Sequence, residues 1–421
     1  MKQVRGLLSV MLLVGVLGLS PATLGQATAA GWKPKAGATF NVPRGGDKMF
    51  RIHKVIGDAI EHAKPGSYIR ISLFSFDRQI LAKKLIAAHK RGVHVQILLN
   101  NHQVTKAQKM LHKALGKKRF KKNFSYECTN GCRSKGENNH IKFFLFTKTG
   151  AAKDVVMTGS VNFTMNSAKN QYNDVWVRND APKLHAAFVR LFEDMRKDRV
   201  AKPPYWVEKI GKPYELQATP YPKFSATHDP IMKLLKPVHC SGATGGTGNA
   251  NHRTIIRVVM HAWNERRGIY IAQRIRQLFA QGCDVKLMYG FAGAEVRNTF
   301  ATATKRGYIP VHTTGFDTND DGFIDLYTHQ KELLISGNYG KNSATRMVVT
   351  GSSNYNDDGL RGDEEIFVIK NMKGAYQNYA SNFTFMWLNK SILVKYIPYK
   401  AGVPVVLAPQ PKRFGPAWEN D

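Results

Sequence analysis

Apolar residues recur at helical spacing over residues 50–63, and Lys64-Pro65-Gly66 ends the helix that this spacing predicts. Residues 68–76 then alternate as a strand does. A second helix is predicted over residues 78–91, with Leu81, Leu85 and Ala88 on one face; Gly92 closes it, and Val93, Val95, Ile97 and Leu99 mark a strand of period two. The same order returns late in the chain. Residues 255–262 are apolar and β-rich, Ile271, Ile275 and Leu278 form a helix stripe, Gly282 ends it, and Val285 and Leu287 alternate. Gly282 lies 190 residues after Gly92, His329 lies 189 after His140, and Gly351 lies 192 after Gly159. That constancy predicts an internal duplication. Alternating strands and helices in each copy imply an α/β fold of two related units with mixed sheets flanked by helices.

Between the copies, residues 202–251 carry seven prolines and a glycine-rich run from Ser241 to Gly248, which predicts the crossover between halves. The expected division is residues 31–224 for the first half and 225–421 for the second, with an irregular proline-rich tail after Tyr399. Residues 1–30 have the pattern of a signal peptide: Lys2 and Arg5, an apolar run from Leu7 to Leu19, and Ala27-Thr28-Ala29 as a small-residue cleavage site. A soluble, secreted mature chain is therefore expected, and a monomer.

The chemistry concentrates in one stretch present twice. Residues 140–162 read HIKFFLFTKTGAAKDVVMTGSVN and residues 329–354 read HQKELLISGNYGKNSATRMVVTGSSN. Each holds a His-x-Lys, an apolar run, a polar turn, a second apolar run and a Gly-Ser-x-Asn. His62-Ala63-Lys64 is a third His-x-Lys, but it lies on the first helix with no Gly-Ser-x-Asn after it and reads as a solvated face. On a strand, alternation puts His140 beside Lys142 and His329 beside Lys331. Facing halves then predict two imidazoles and two ammonium groups around one phosphate. One imidazole attacks phosphorus, the other protonates the leaving oxygen, and water or an alcohol resolves the phosphohistidine. Lys142, Lys331, Asn162 and Asn354 are expected on the non-bridging oxygens, with Ser160 and Ser352 of the same motif in the site. An imidazole used this way needs a carboxylate to fix its tautomer. Asp174 and Glu365, 14 and 13 residues after Ser160 and Ser352, are the candidates. No cofactor is required for this chemistry.

This paired pattern resembles the phospholipase D superfamily, whose signature is H-x-K-x4-D followed by G-S-x-N, usually twice. The resemblance implies two pseudo-twofold α/β units with the site between them, His140 as nucleophile and His329 as general acid. The signature aspartate is missing from both copies, where Thr147 and Ser336 stand.

The formal charge of +32 falls to +30 without Lys2 and Arg5, which argues for an anionic partner without naming it. Residues 106–122 hold eight Lys or Arg; their place before the motif puts them near the cleft rim, with Phe120, Phe124 and Tyr126 beside them for bases or an interface. Cys128 with Cys132, and Cys240 with Cys283, are expected disulfides. Asp317, Asn319, Asp321 and Asp325 match the start of an EF-hand loop around Gly322, with Thr328 in place of the usual Glu, so the stretch reads either as an acidic glycine turn or as a structural calcium loop. The preferred function is a phospholipase D-type phosphodiesterase acting on phospholipid head groups with peripheral membrane contact. A nonspecific nuclease and a non-catalytic binder of anionic polymer are the alternatives.

Overall fold

The computed structural model describes residues 31–129, 131–397, 405–407 and 413–414; the expected signal segment and most of the proline-rich tail lie outside them. The predicted helix over 50–63 forms as Arg51–Glu61, preceded by one 3-10 turn, Gly46–Phe50. Ile52, Ile56, Ala59 and Ile60 recur every three to four residues and give it one buried face. The next helix is Gln79–Lys90, and the two anchor on the strands Tyr68–Leu73 and His94–Leu99. These pair in parallel, as a strand–helix–strand crossover requires.

The duplication is visible strand by strand. The first sheet runs, in spatial order, Gly37–Phe40, Asp174–Arg178, Ala152–Gly159, Phe143–Thr149, Tyr68–Leu73, His94–Leu99 and Phe124–Glu127. The second runs Tyr214–Ala218, Glu365–Lys370, Asn342–Gly351, Lys331–Tyr339, Ile255–Trp263, Asp284–Ala292 and Val311–Thr313, with Trp206–Ile210 and Ile392–Leu393 added at its two edges. Both sheets are mixed. Trp206–Ile210 and Tyr214–Ala218 precede residue 225 in the chain yet belong to the second sheet, where Tyr214–Ala218 pairs antiparallel with Glu365–Lys370.

The two sheets share a core. Phe143, Leu145, Val156 and Trp176 of the first meet Val259, Met288, Leu334, Val348 and Phe367 of the second, joined by the helices Pro182–Met195 and Lys373–Asn389, while the opposite faces carry other helices such as Arg51–Glu61, Gln79–Lys90 and Glu265–Ala280. Alternation along each motif strand thus splits its residues between an inter-sheet core and a helix-covered core. Residues from Trp32 onward form one compact unit.

Each Gly-Ser pair has a packing reason. A Cβ on Gly351 would lie 2.4 Å from the Glu365 carbonyl oxygen, and one on Gly159 would lie 2.5 Å from that of Asp174. Gly351 also adopts a φ of +130°, which disfavours any side chain. The residues that stand where the signature aspartates are missing are bonded into the scaffold. The Thr147 hydroxyl accepts the Tyr68 N–H at 2.8 Å, and the Ser336 hydroxyl accepts the Gly248 N–H at 3.3 Å.

Both expected disulfides form, Cys128–Cys132 and Cys240–Cys283. The second spans 43 residues, so its loop-closure contribution is the larger, about 4 kcal/mol on the chain-entropy account. Replacing both Cys240 and Cys283 with serine is expected to lower the unfolding free energy by about 2–4 kcal/mol, measured as the shift of a denaturant midpoint. An unchanged midpoint would show that native contacts alone hold that loop.

The basic stretch does not occupy the expected place. It begins as the helix Lys106–Leu115, but its C-terminal part, residues 117–122, precedes the strand Phe124–Glu127, which runs parallel to His94–Leu99. Lys122 therefore lies at the N-terminal end of those strands, its carbonyl accepting from Gln96, whereas His140 lies at their C-terminal end. Of the three aromatics, Phe124 is buried and Tyr126 is tied to Asp198 and Arg119; only Phe120, 65 % exposed, faces solvent.

Candidate active site

The strands Tyr68–Leu73 and Ile255–Trp263 each end where a motif strand from the same half begins, and the two ends face one another. Their last turns put Phe74 against His140 and His261 against His329, with ring centroids 5.2 Å and 4.7 Å apart. The His140 and His329 rings lie 6.4 Å apart, at 83° to each other. The two rings are thus neighbours that one phosphate group could touch together. Both rings line a cavity of about 70 Å³, roughly five times the space one ordered water needs.

Each half holds the other half's histidine. The His140 N–H donates to the Asp363 carbonyl at 2.9 Å, and the His329 N–H to the Tyr172 carbonyl at 2.9 Å. Tyr327–Thr328 pairs in parallel with Gln171–Tyr172 to the same effect. Burial, with Lys142 and Lys331 adding, pushes the His140 imidazole down to about 4 against the opposing pull of Glu364. Burial, then Lys331, His261, Lys142 and His140, holds His329 well below the usual imidazole range. Both shifts favour the neutral ring, the form that a nitrogen nucleophile requires.

The orienting groups differ by one residue from those expected. Glu364, not Glu365, meets His140 Nδ1, at 2.8 and 2.9 Å. Asn173, not Asp174, meets His329 Nδ1, at 2.9 Å, together with the Ser160 carbonyl at 3.0 Å. Asp174 and Glu365 brace the two halves instead. Asp174 accepts from the Thr350 and Tyr379 hydroxyls at 2.7 and 2.9 Å, and Glu365 from the Thr158 hydroxyl and the Lys142 N–H, each at 3.0 Å. Burial pushes the Glu365 carboxyl up to about 8. The reason is alternation: in Asn173-Asp174 and Glu364-Glu365 adjacent side chains point opposite ways, and the second of each pair starts the strand and faces its partner strand. Glu364 and Asn173 both stand just before a strand, which is the signal that could have found them.

The remaining expected residues gather around the histidines. Lys142 Nζ donates to the His140 carbonyl and Lys331 Nζ to the His329 carbonyl, both at 2.7 Å. Both lysines are buried, and both depress the two imidazoles, so their charge reaches the point where a phosphate would lie. The Asn162 and Asn354 side-chain oxygens accept from the Ser75 and Ala262 N–H groups at 3.3 and 3.4 Å, which turns the Asn354 amide donors toward the cavity it lines. The Ser160 hydroxyl donates to Asn173 and the Ser352 hydroxyl to Glu365, so both serines position and neither presents a nucleophile. His261, Asn138, Asn356, Glu137 and Asp358 complete the lining and carry no motif that sequence reasoning could use.

The expected calcium loop is bonded within itself and to Arg44. Asp317 accepts from the N–H groups of Asn319, Asp321 and Gly322, Asn319 donates to Asp321, and Asp325 pairs with Arg44 and Thr318. Among the described residues no group of three or more His, Cys, Asp or Glu is placed to hold a metal ion.

Residues 56–196 match the family described as cardiolipin synthase, PLD-like domain. Phosphatidylserine synthase from Haemophilus influenzae Rd KW20 has a similar fold (TM-score 0.57, 11 % identity, 87 % of this chain and 90 % of that one). So does polyphosphate kinase from Porphyromonas gingivalis (TM-score 0.52, 12 % identity, 81 % of this chain and 46 % of that one). No curated protein matches the chain in sequence. Residues 56–196 thus match a PLD-like domain, the chain shares its fold with phosphatidylserine synthase, and two His-Lys-Asn sets from matched halves converge on one cavity.

Proposed function

We propose that the protein is an exported phospholipase D-type phosphodiesterase that hydrolyses phospholipid head groups, with transfer to an alcohol as a side reaction. The observation that carries the phosphodiesterase reading is the pair of imidazoles, one from each half, 6.4 Å apart beside two buried lysines. His140 Nε2 attacks phosphorus while the bond to the departing alcohol breaks, and His329, once a second proton has bound at Nε2, gives that oxygen its proton. Water then attacks the phosphohistidine, His329 takes the water proton, and the phosphate product leaves. Lys142, Lys331 and Asn354 hold the non-bridging oxygens as charge builds.

A head group is favoured over nucleic acid by the lining of the cavity. On a chain of charge +32, the charged residues that line the cavity beside the histidines are Glu137, Asp358 and Glu364, with Lys142 and Lys331 buried behind the histidines. Burial raises both carboxyls against the pull of Arg361, with Asp358 adding for Glu137, and Glu364 and Asp357 adding for Asp358. The phosphates flanking a scissile bond in DNA would meet those carboxylates, whereas an amine or hydroxyl of a head group is welcomed by them. Export is favoured by the two disulfides and the N-terminal pattern.

The test compares phosphatidylcholine and phosphatidylethanolamine vesicles with plasmid DNA, all in chelator. Head-group release without nicking is expected. Nicked DNA with intact lipid supports the nuclease reading, and neither product, with salt-sensitive retention on heparin, supports the binder. Changing Glu137→Gln together with Asp358→Asn is expected to raise KM for a cationic head group about tenfold with little change in kcat, the loss of two weak charge contacts. An unaltered KM would remove these carboxylates from substrate recognition.

A further inference from the structure

The two histidines are held by chemically different partners. His140 Nδ1 faces a buried carboxylate, Glu364, at 2.8 Å. His329 Nδ1 faces the Asn173 carboxamide oxygen at 2.9 Å and the Ser160 carbonyl at 3.0 Å. The Asn173 orientation is fixed, because its Nδ2 donates to the Ser167 carbonyl at 3.0 Å and so its oxygen must face the ring. Both partners of His329 accept only, which places a proton on Nδ1 and leaves Nε2 unprotonated toward the cavity until a second proton binds.

We propose that Asn173 is a positioning residue that withholds a compensating charge from His329, so that proton delivery to the leaving alcohol, and not attack by His140, sets the alkaline limit of activity. The inference rests on the phosphodiesterase reading above and goes beyond it. Glu364 can balance the cationic phosphoimidazole that forms on His140; among the described residues no carboxylate is bonded to the His329 ring. The groups around that ring are Lys331 on its own strand, His261 from the strand Ile255–Trp263, and His140 and Lys142 from the other half. Asp174 lies next to Asn173, but its carboxylate is spent on Thr350 and Tyr379, and Glu364 is spent on His140. Every charge that reaches His329 directly is positive, which is consistent with its depressed basicity.

The test follows His329 with and without substrate. Imidazole ¹⁵N NMR on the full chain reads its protonation directly, and Asn173→Asp is expected to move that titration upward by about one pH unit or more, as a carboxylate at hydrogen-bond distance does. In kinetics on phosphatidylcholine, whose alcohol needs a proton, the alkaline limb of kcat/KM moves up with it. On bis(p-nitrophenyl) phosphate, whose leaving group needs none, that limb is absent in both proteins. An unmoved titration, or a limb that moves equally on both substrates, overturns the proposal. Since an aspartate at 173 faces the Ser167 carbonyl, Glu364→Gln is the companion: it is expected to slow both substrates alike and leave the alkaline limb in place. A limb shift confined to phosphatidylcholine in that variant also overturns it. If the NMR result holds while no diester is cleaved, the functional reading has failed and the role of Asn173 has not.

Discussion

Alanine at position 140 is expected to abolish turnover on every diester the wild type cleaves, with kcat falling by at least about four orders of magnitude. The size follows from what His140 does. It is the group whose nitrogen bonds to phosphorus, so its loss removes the covalent route and leaves only orientation and charge stabilisation by Lys142, Lys331 and Asn354. Fold should survive, because the His140 ring contacts Glu364, Phe74 and the cavity and contributes little to the three cores. The variant therefore keeps the wild-type circular dichroism and loses the product, and a His140→Ala protein within tenfold of wild type would remove this residue from the chemistry. The substitution does leave Glu364 buried without its partner, so some loss of stability at neutral pH accompanies it.

The largest stability effect is expected away from the histidines, at a buried ion pair that supports the second Gly-Ser-x-Asn. Arg267 and Asp229 are both fully buried, 2.8 Å apart. Asp229 also accepts from the Ile231 and Met232 N–H groups at the start of the helix Pro230–Leu235 and from the Tyr270 hydroxyl. Arg267 in turn donates to the Ser353 hydroxyl and to the Asn354 carbonyl. Removing one member of such a pair strands the other charge in the interior. Asp229→Ala is thus expected to cost about 3–5 kcal/mol in a denaturant titration, with loss of the helix cap included. Because Arg267 holds the backbone of Asn354, kcat should also fall, by about tenfold, at temperatures where the variant remains folded. A change below about 1 kcal/mol would mean that water reaches Arg267 and the pair is not as dry as its packing implies.

Most of the architecture was legible because the duplication wrote it twice. Gly92 and Gly282, His140 and His329, and Gly159 and Gly351 mark the same positions in two sheets whose central strands occur in the same order. Helix and strand periods did the rest within each copy. The paired histidines, lysines and asparagines were legible for the same reason. What sequence hid were features set by contact between the halves. Which of Asn173 and Asp174, or of Glu364 and Glu365, turns to a histidine depends on how one half's strand ends meet the other's, and no spacing within one copy encodes that. The basic stretch was misplaced because its end of the sheet follows from the parallel pairing of Phe124–Glu127 with His94–Leu99. The strands Trp206–Ile210 and Tyr214–Ala218 were masked by surrounding prolines, and they form because Glu365–Lys370 offers them a sheet edge. His261 had no motif; its place is recognised only by its equivalence to Phe74 at the end of the matching strand.

The claim beneath all of this is that one imidazole from each half flanks a single phosphorus atom and that His140 bonds to it. Acid-labile phosphoryl label, trapped by rapid quench during turnover of a phosphorus-labelled diester and mapped by mass spectrometry, tests it most directly. The account predicts label on the peptide bearing His140 and none on that bearing His329. Product formed in the first turnover with no protein-bound phosphoryl group, or label on any residue outside this cavity, would contradict it.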